Sequence, residues 1–257
     1  MDPSEPESPK IIPLIRRRFL ALWLAAVWPY ALLGICMISI SFVVHAHVTP
    51  GPTGSPMEMW HSMSALAKVA IILGFIIQIF LPRDLAAGGV AIIVWSDRHG
   101  ENLNLMSFLS RFGRVALPLV PLSIGLGMLI FLSGLFILPG IFLAVWSAFV
   151  MPALATAGDH AGMAMRKSFR FSLQQIGPLL GLYFGMVIAQ IPALLALFIP
   201  LALTSGRSAW WAGMFLGWGL FAVLMGLIFM TQSVILATLY LDAVRSSEAF
   251  QAQQLSQ

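Results

Sequence analysis

The stretch FLALWLAAVWPYALLGICMISISFVV, Phe19 to Val44, holds no charged side chain in 26 residues. Coiled as a helix it runs about 39 Å, against a hydrocarbon core about 30 Å thick. Lys10, Arg16, Arg17 and Arg18 precede it, mixed with Ile11, Ile12, Leu14 and Ile15. That is a basic interfacial segment leading into a membrane span. A secretory signal has the same order of parts, but its apolar part is about 7–15 residues long and ends at a small-residue cleavage site. This run is longer, so it reads as an uncleaved first crossing.

The composition agrees. Hydrophobic residues make up 59% and charged residues 9% of the 257, where a soluble domain averages about 45–50% and about 25%. Mean hydropathy is +0.91. So few charges exclude a soluble globule, and so much apolar surface excludes disorder for most of the chain. Continuous rather than alternating apolar runs argue against a membrane β-barrel. Cys36 stands alone, which excludes a disulfide within the chain and a cysteine-ligated metal cluster. The net charge of +4 is assigned to membrane edges facing anionic lipid rather than to nucleic acid.

The expected fold class is all-α, a polytopic protein of six transmembrane helices with cytoplasmic amphipathic interfacial helices. Residues 1–9 are expected to form a disordered tail, 10–245 the membrane domain and 246–257 a flexible tail. The spans are placed at 19–44, 65–81, 115–138, 141–156, 178–204 and 214–240. Leu85 to Trp95 is apolar but too short to cross, and reads either as a re-entrant piece or as an extension of span two. Leu105, Phe108, Leu109 and Phe112 recur at i, i+3, i+4 and i+7 opposite Arg111 and Arg114, the pattern of a helix lying in the interface. Asp159 is the expected N-cap of a second such helix carrying Arg166, Lys167 and Arg170. With the N-terminus inside, twelve Lys and Arg fall on the inner segments, Arg83 among them, and only Lys68 and Arg207 on the outer. This bias predicts both termini in the cytoplasm.

Chemistry is sparse. His45, His47, His61 and Glu58 share the outer loop, but a His-X-His pair supplies only two zinc ligands, and no metal is expected. His99 and His160 lie near Asp97 and Asp159 without a positioned partner. Spans one, three, four, five and six carry no charge at their centres, which argues against an ion-coupled carrier. Gln78, Gln190 and Gln232 are the polar groups from which a transport groove would be built. Gly177, Gly181 and Gly185, and Gly213 and Gly217, stand at four-residue spacing and read as close helix packing. Arg111, Arg114, Arg166, Lys167 and Arg170 are the candidate headgroup-binding residues, and Pro139 and Gly140 the expected hairpin turn between spans three and four.

Three stretches together carry a resemblance. Pro139-Gly140-Ile141-Phe142-Leu143, continuing to Pro152 and Ala164-Met165-Arg166-Lys167-Ser168-Phe169, is one. Gly100 followed by the Ser107–Arg114 helix is the second, and Leu239-Tyr240-Leu241-Asp242 with Arg245 and Glu248 the third. Over Leu85 to Glu248 their order resembles the glycerophosphoryl diester phosphodiesterase membrane domain and the related YciC-like bacterial membrane proteins. Many members have an Arg after the Pro-Gly-Ile turn, where this chain has Val145 and Trp146. The resemblance implies a bacterial inner membrane protein. Some members continue into a catalytic barrel. Here only Leu241 to Gln257 follows span six, so no catalytic domain, enzyme activity or cofactor is expected. The function expected is a non-enzymatic, envelope- or lipid-associated role, its partners the bilayer, anionic phospholipid headgroups and a protein partner of unknown identity. The alternative is a small-molecule or lipid transporter.

Overall fold

The computed structural model describes the backbone of residues 11–47, 65–134, 137–157, 160–203 and 210–255. Side chains are described for 11–35, 80–133, 139–156, 160–200, 212–213 and 215–248. The expected tail at 1–9, the outer histidine loop and the Gln78 side chain lie outside these residues.

Every described element is helical. In chain order they are α1 (Ile11–His47), α2 (Ala65–Arg98), α3 (Leu105–Gly134), α4 (Ile137–Trp146), a 3-10 turn (Ser147–Phe149), α5 (Val150–Ala157), α6 (Ala161–Gln174), α7 (Ile176–Leu203) and α8 (Trp210–Leu255). Five helical stretches among the described residues are long and apolar enough to cross a membrane: Ile11–Ile35, Leu105–Ser133, Pro139–Thr156, Ile176–Pro200 and Phe215–Glu248. This is the architecture of a multi-pass membrane protein, in which helices leave no backbone group unpaired in hydrocarbon.

Several boundaries differ from the sequence reading. The Leu85–Trp95 stretch extends α2, which runs unbroken through Pro82, Arg83 and Asp84 for 34 residues, about 51 Å. Its residues Ala86, Val90, Ala91, Ile92, Ile93 and Val94 are all buried, because α1, α3, α5 and α8 surround this part of the helix. The amphipathic segment before span three is the first three turns of α3, not a separate interfacial helix. Pro139 and Gly140 stand inside the first turn of α4. They do not form the expected turn: α3 ends at Gly134 and α4 starts at Ile137, so the hairpin boundary precedes them. Proline is tolerated there because a first-turn N–H has no intrahelical partner. Span four is broken by the 3-10 turn, three residues ahead of Pro152. The polar stretch after Asp242 continues α8 to Leu255 instead of forming a flexible tail.

The α2–α3 connection is specified residue by residue. Gly100 has φ +67°, the left-handed position that closes a helix end. Glu101 N–H donates to Ser96 C=O (2.9 Å) and Gly100 N–H to Asp97 C=O (3.2 Å), the paired bonds of a Schellman motif. Asn104 then caps α3: its Oδ1 accepts from Ser107 N–H (2.8 Å), and its own N–H donates to Ser107 Oγ (3.1 Å), a reciprocal cap.

In lipid, apolar burial provides no net drive between helices, so close approach and polar contacts decide which faces meet. The glycines show where this happens, and it is not where the four-residue spacing pointed. Among the described residues, a Cβ on Gly177, Gly181 or Gly185 would meet nothing within 4 Å, so no described helix packs on this face of α7. A Cβ on Gly217 would lie 2.7 Å from the Leu197 carbonyl oxygen, locking α8 against α7. One on Gly226 would collide with Val27 of α1, and one on Gly127 would lie 2.8 Å from the Phe80 ring. Gly217→Leu should therefore cost about 1–3 kcal/mol by forced overpacking, while Gly181→Leu stays within about 0.5 kcal/mol. Thermal unfolding of both variants in lipid nanodiscs checks this. Equal losses would contradict the assigned helix faces.

Candidate functional site

The charged residues gather at one end of the bundle, and the last turn of α2 is their hub. Asp97 is bound by Arg17 and by Arg18 (Nε–Oδ1 3.1 Å) of α1. At this point α1 is kinked, with Arg18 at φ −113°, ψ 15°. Arg98 pairs with Asp242 of α8 at 2.6 Å. Arg111 of α3 pairs with Glu101 at 2.7 Å, donates to Ser96 Oγ at 3.3 Å and lies 5.2 Å over the Trp95 ring. Trp95 in turn packs on His99, ring centroids 4.3 Å apart. Three helices are thus fastened to α2 within one helical turn.

Of the five predicted headgroup residues, Arg111 is engaged in this clamp. Arg114, one turn further along α3, is exposed and pairs with no described carboxylate. Both line a cavity of about 540 Å³ with Trp95, Thr156 and His160, walled on the apolar side by Ile92, Val115, Pro118 and Leu154. Arg166 and Arg170 are exposed on α6 and Lys167 is half-buried. They do not join the α3 pair in this cavity. The five residues therefore divide into two basic sites. The N-cap position of α6 is occupied by His160, without a side-chain hydrogen bond; Asp159 lies outside the described residues.

α6 has its own logic. Ala164, Ser168, Phe171 and Ser172 form its buried face, while Met163, Phe169 and Leu173 are exposed beside Arg166 and Arg170. Such a mixture of apolar and basic surface suits a headgroup boundary. The buried face repairs the break in span four. Ser168 Oγ accepts from Phe149 N–H (3.1 Å) and donates to Trp146 C=O. Two backbone groups freed by the 3-10 turn are satisfied by one hydroxyl. Ser168 stood in the sequence only as part of the Arg166-Lys167-Ser168-Phe169 stretch, with no sign of this bridging role.

The sequence reading also missed the polar centre of the bundle. Arg83 lies about 22 Å along α2 from Arg98, so it does not belong to the inner segment where the charge count placed it. Its Nε pairs with Asp84 Oδ1 at 3.2 Å, its guanidinium lies 5.5 Å from the Phe80 ring centroid, and Asp84 is only 4% exposed. Tyr30 and Tyr183 are within electrostatic reach of both charges, and Tyr183 Oη donates to Ala144 C=O at 3.1 Å. Among the described residues, Gln190 and Gln232 form no such centre. With α7 and α8 antiparallel and Gly217 against Leu197, Gln190 falls level with Leu224, about 12 Å along α8 from Gln232.

Ser168→Ala should leave Phe149 N–H and Trp146 C=O without this partner and cost about 1–3 kcal/mol. Ser168→Thr, which keeps the hydroxyl, should recover most of the loss. Unfolding midpoints in a mild detergent check the pair, and an alanine variant as stable as the parent would refute the bridging role.

No known protein family, no curated protein and no solved structure matches this chain.

Proposed function

We propose that the chain crosses a bacterial inner membrane six times, with both termini cytoplasmic, and binds anionic phospholipid headgroups at its charged end without catalysing a reaction on them. The observation that carries this reading is the cavity bordered by Arg111, Arg114 and His160. Guanidinium forks are matched to phosphate oxygens, and the apolar wall of Ile92, Val115, Pro118 and Leu154 continues towards the hydrocarbon side, where acyl chains lie. Arg166 and Arg170 on α6 add a second basic contact with the same leaflet. The crowding of Lys and Arg at this end supports its cytoplasmic placement. The likeness to the glycerophosphoryl diester phosphodiesterase membrane domain and YciC-like proteins belongs to the same proposal, as do an envelope- or lipid-associated role and a partner protein.

A second reading, a small-molecule or lipid transporter, is favoured by one observation: a buried Asp84 paired with a half-buried Arg83 partway along the bundle, where charge is costly and is kept for function. Solute or lipid flux in proteoliposomes, present in the parent and lost in Asp84→Leu, would establish it.

The headgroup reading is tested by native mass spectrometry of protein released from vesicles of mixed phosphatidylglycerol and phosphatidylcholine. A basic residue near an anionic surface contributes about 1 kcal/mol, about fivefold in affinity. Arg114→Gln should therefore lower retained phosphatidylglycerol by about that factor, leave phosphatidylcholine unchanged and preserve the fold, since Arg114 makes none of the Arg111 contacts. Unchanged phosphatidylglycerol retention in Arg114→Gln and in Arg166→Gln/Arg170→Gln would overturn it.

A further inference from the structure

The contact between α2 and α3 is tight on either side of Asp84. Phe80, Asp84 and Gly88 follow one another at i, i+4 and i+8, which puts them on one stripe of α2. Opposite, Leu119, Ser123 and Gly127 make the matching stripe of α3. A Cβ on Gly88 would lie 3.0 Å from Leu119, and one on Gly127 would lie 2.8 Å from Phe80. These two contacts pin the antiparallel register, and the position between them sets Asp84 against Ser123. The same reasoning places Tyr30. Gly89 meets Ala25 at 3.5 Å and Asp97 meets Arg18, so α1 runs antiparallel to α2 with Tyr30 at the level of Asp84.

Three polar side chains thus stand at one depth, with the Tyr30 ring stacked on Phe229 of α8, centroids 5.3 Å apart. Ser123 is 0% and Tyr30 3% exposed, and neither Ser123 Oγ nor Tyr30 Oη has a hydrogen-bond partner among the described residues. Asp84 carries four lone-pair positions and accepts from Arg83 at 3.2 Å. Two hydroxyl donors without a described partner, at the level of a buried carboxylate with acceptor capacity to spare, cost several kcal/mol if left dry. Pairing by water removes the cost: an internal water makes about three hydrogen bonds, and sites of this kind hold one when polar groups face it from several sides. The Arg83–Asp84 pair is neutral overall, so the site calls for a neutral hydrogen-bonding molecule rather than an ion.

We infer that Asp84, Ser123 and Tyr30 enclose a hydrated site inside the helix bundle, occupied by ordered water that joins the two hydroxyls to the carboxylate. This centre is independent of the headgroup cavity at the charged end. It makes the level of Arg83 a wet layer between two dry ones, the Gly88–Leu119 and Phe80–Gly127 contacts.

Radiolytic hydroxyl-radical labelling of the full chain in nanodiscs tests this, because radicals formed from a bound water label the rings beside it even where bulk solvent does not reach. Tyr30 and Phe80 are the reporters, and Phe149, also fully buried, is the dry control. Labelling of Tyr30 and Phe80 clearly above Phe149 is expected. It should fall to the Phe149 level in Asp84→Leu, which removes the main acceptor, and decrease in Ser123→Ala, a small change that the fold tolerates. Tyr30 and Phe80 labelled no more than Phe149 in the parent chain would overturn the inference without any variant. So would labelling that persists unchanged in Asp84→Leu and Ser123→Ala.

Discussion

A helix that is apolar on every side has to be enclosed on every side, and the second half of α2 imposes that requirement on this protein. From Ala86 to Val94 almost every side chain is buried. α1, α3, α5 and α8 are each held against it, while α7 packs chiefly on α8 and shows most of its surface to the surroundings. The order of the bundle follows from this: a central rod, a ring of neighbours, and an outer helix attached to one member of the ring.

What fixes the ring is not oiliness, since lipid is as apolar as leucine. Gly88, Gly89 and Gly127 let α1 and α3 approach α2, and Gly217 and Gly226 let α7 and α1 approach α8. At the charged end the same central helix spends its final turn on ion pairs to α1 and α8 and on a hydrogen bond and a cation–π contact to Arg111 of α3. Its Schellman closure and the cap at Asn104 then deliver the chain to α3 in a defined direction. The cavity at Arg111 and Arg114 is a by-product of that geometry: Arg111 braces the joint, and Arg114, one turn on, is left facing the space between α3 and α5.

The helical class and the apolar stretches were legible because long uncharged runs carry that information by themselves. Helix continuity was not. Pro82-Arg83-Asp84 reads as an interruption, yet neighbouring helices enclose it and the helix continues, short of the one hydrogen bond that Pro82 cannot donate. Leu85–Trp95 is too short to cross alone, and only its covalent continuity with what precedes it makes it the middle of the protein. Pro139-Gly140 carries the composition of a turn, but the same two residues suit the first turn of a helix. Glycine spacing marked a face on α7 without saying whether another helix lies there. Arg111 and Arg114 were visible as basic residues, but their division of labour depends on Glu101, Ser96 and Trp95 arriving from α2. Neither the bridging role of Ser168 nor Ser123 was legible, since a single hydroxyl becomes informative only when the backbone or carboxylate opposite it is known. The stripe Phe80, Asp84, Gly88 was the overlooked clue: an acid at the same helical phase as a bulky ring and a glycine faces a neighbour, not water.

The uninterrupted course of α8 has a mechanical consequence. Asp242 is fastened to Arg98 at the rim, and the helix goes on to Leu255, so its end stands about 20 Å beyond that fastening. A stiff spar of this length carries its tip clear of the charged end of the bundle, and a sideways pull on the tip turns about the Asp242 fastening and is felt at Tyr240, where the aromatic packing with Phe149 and Phe171 acts as the fulcrum.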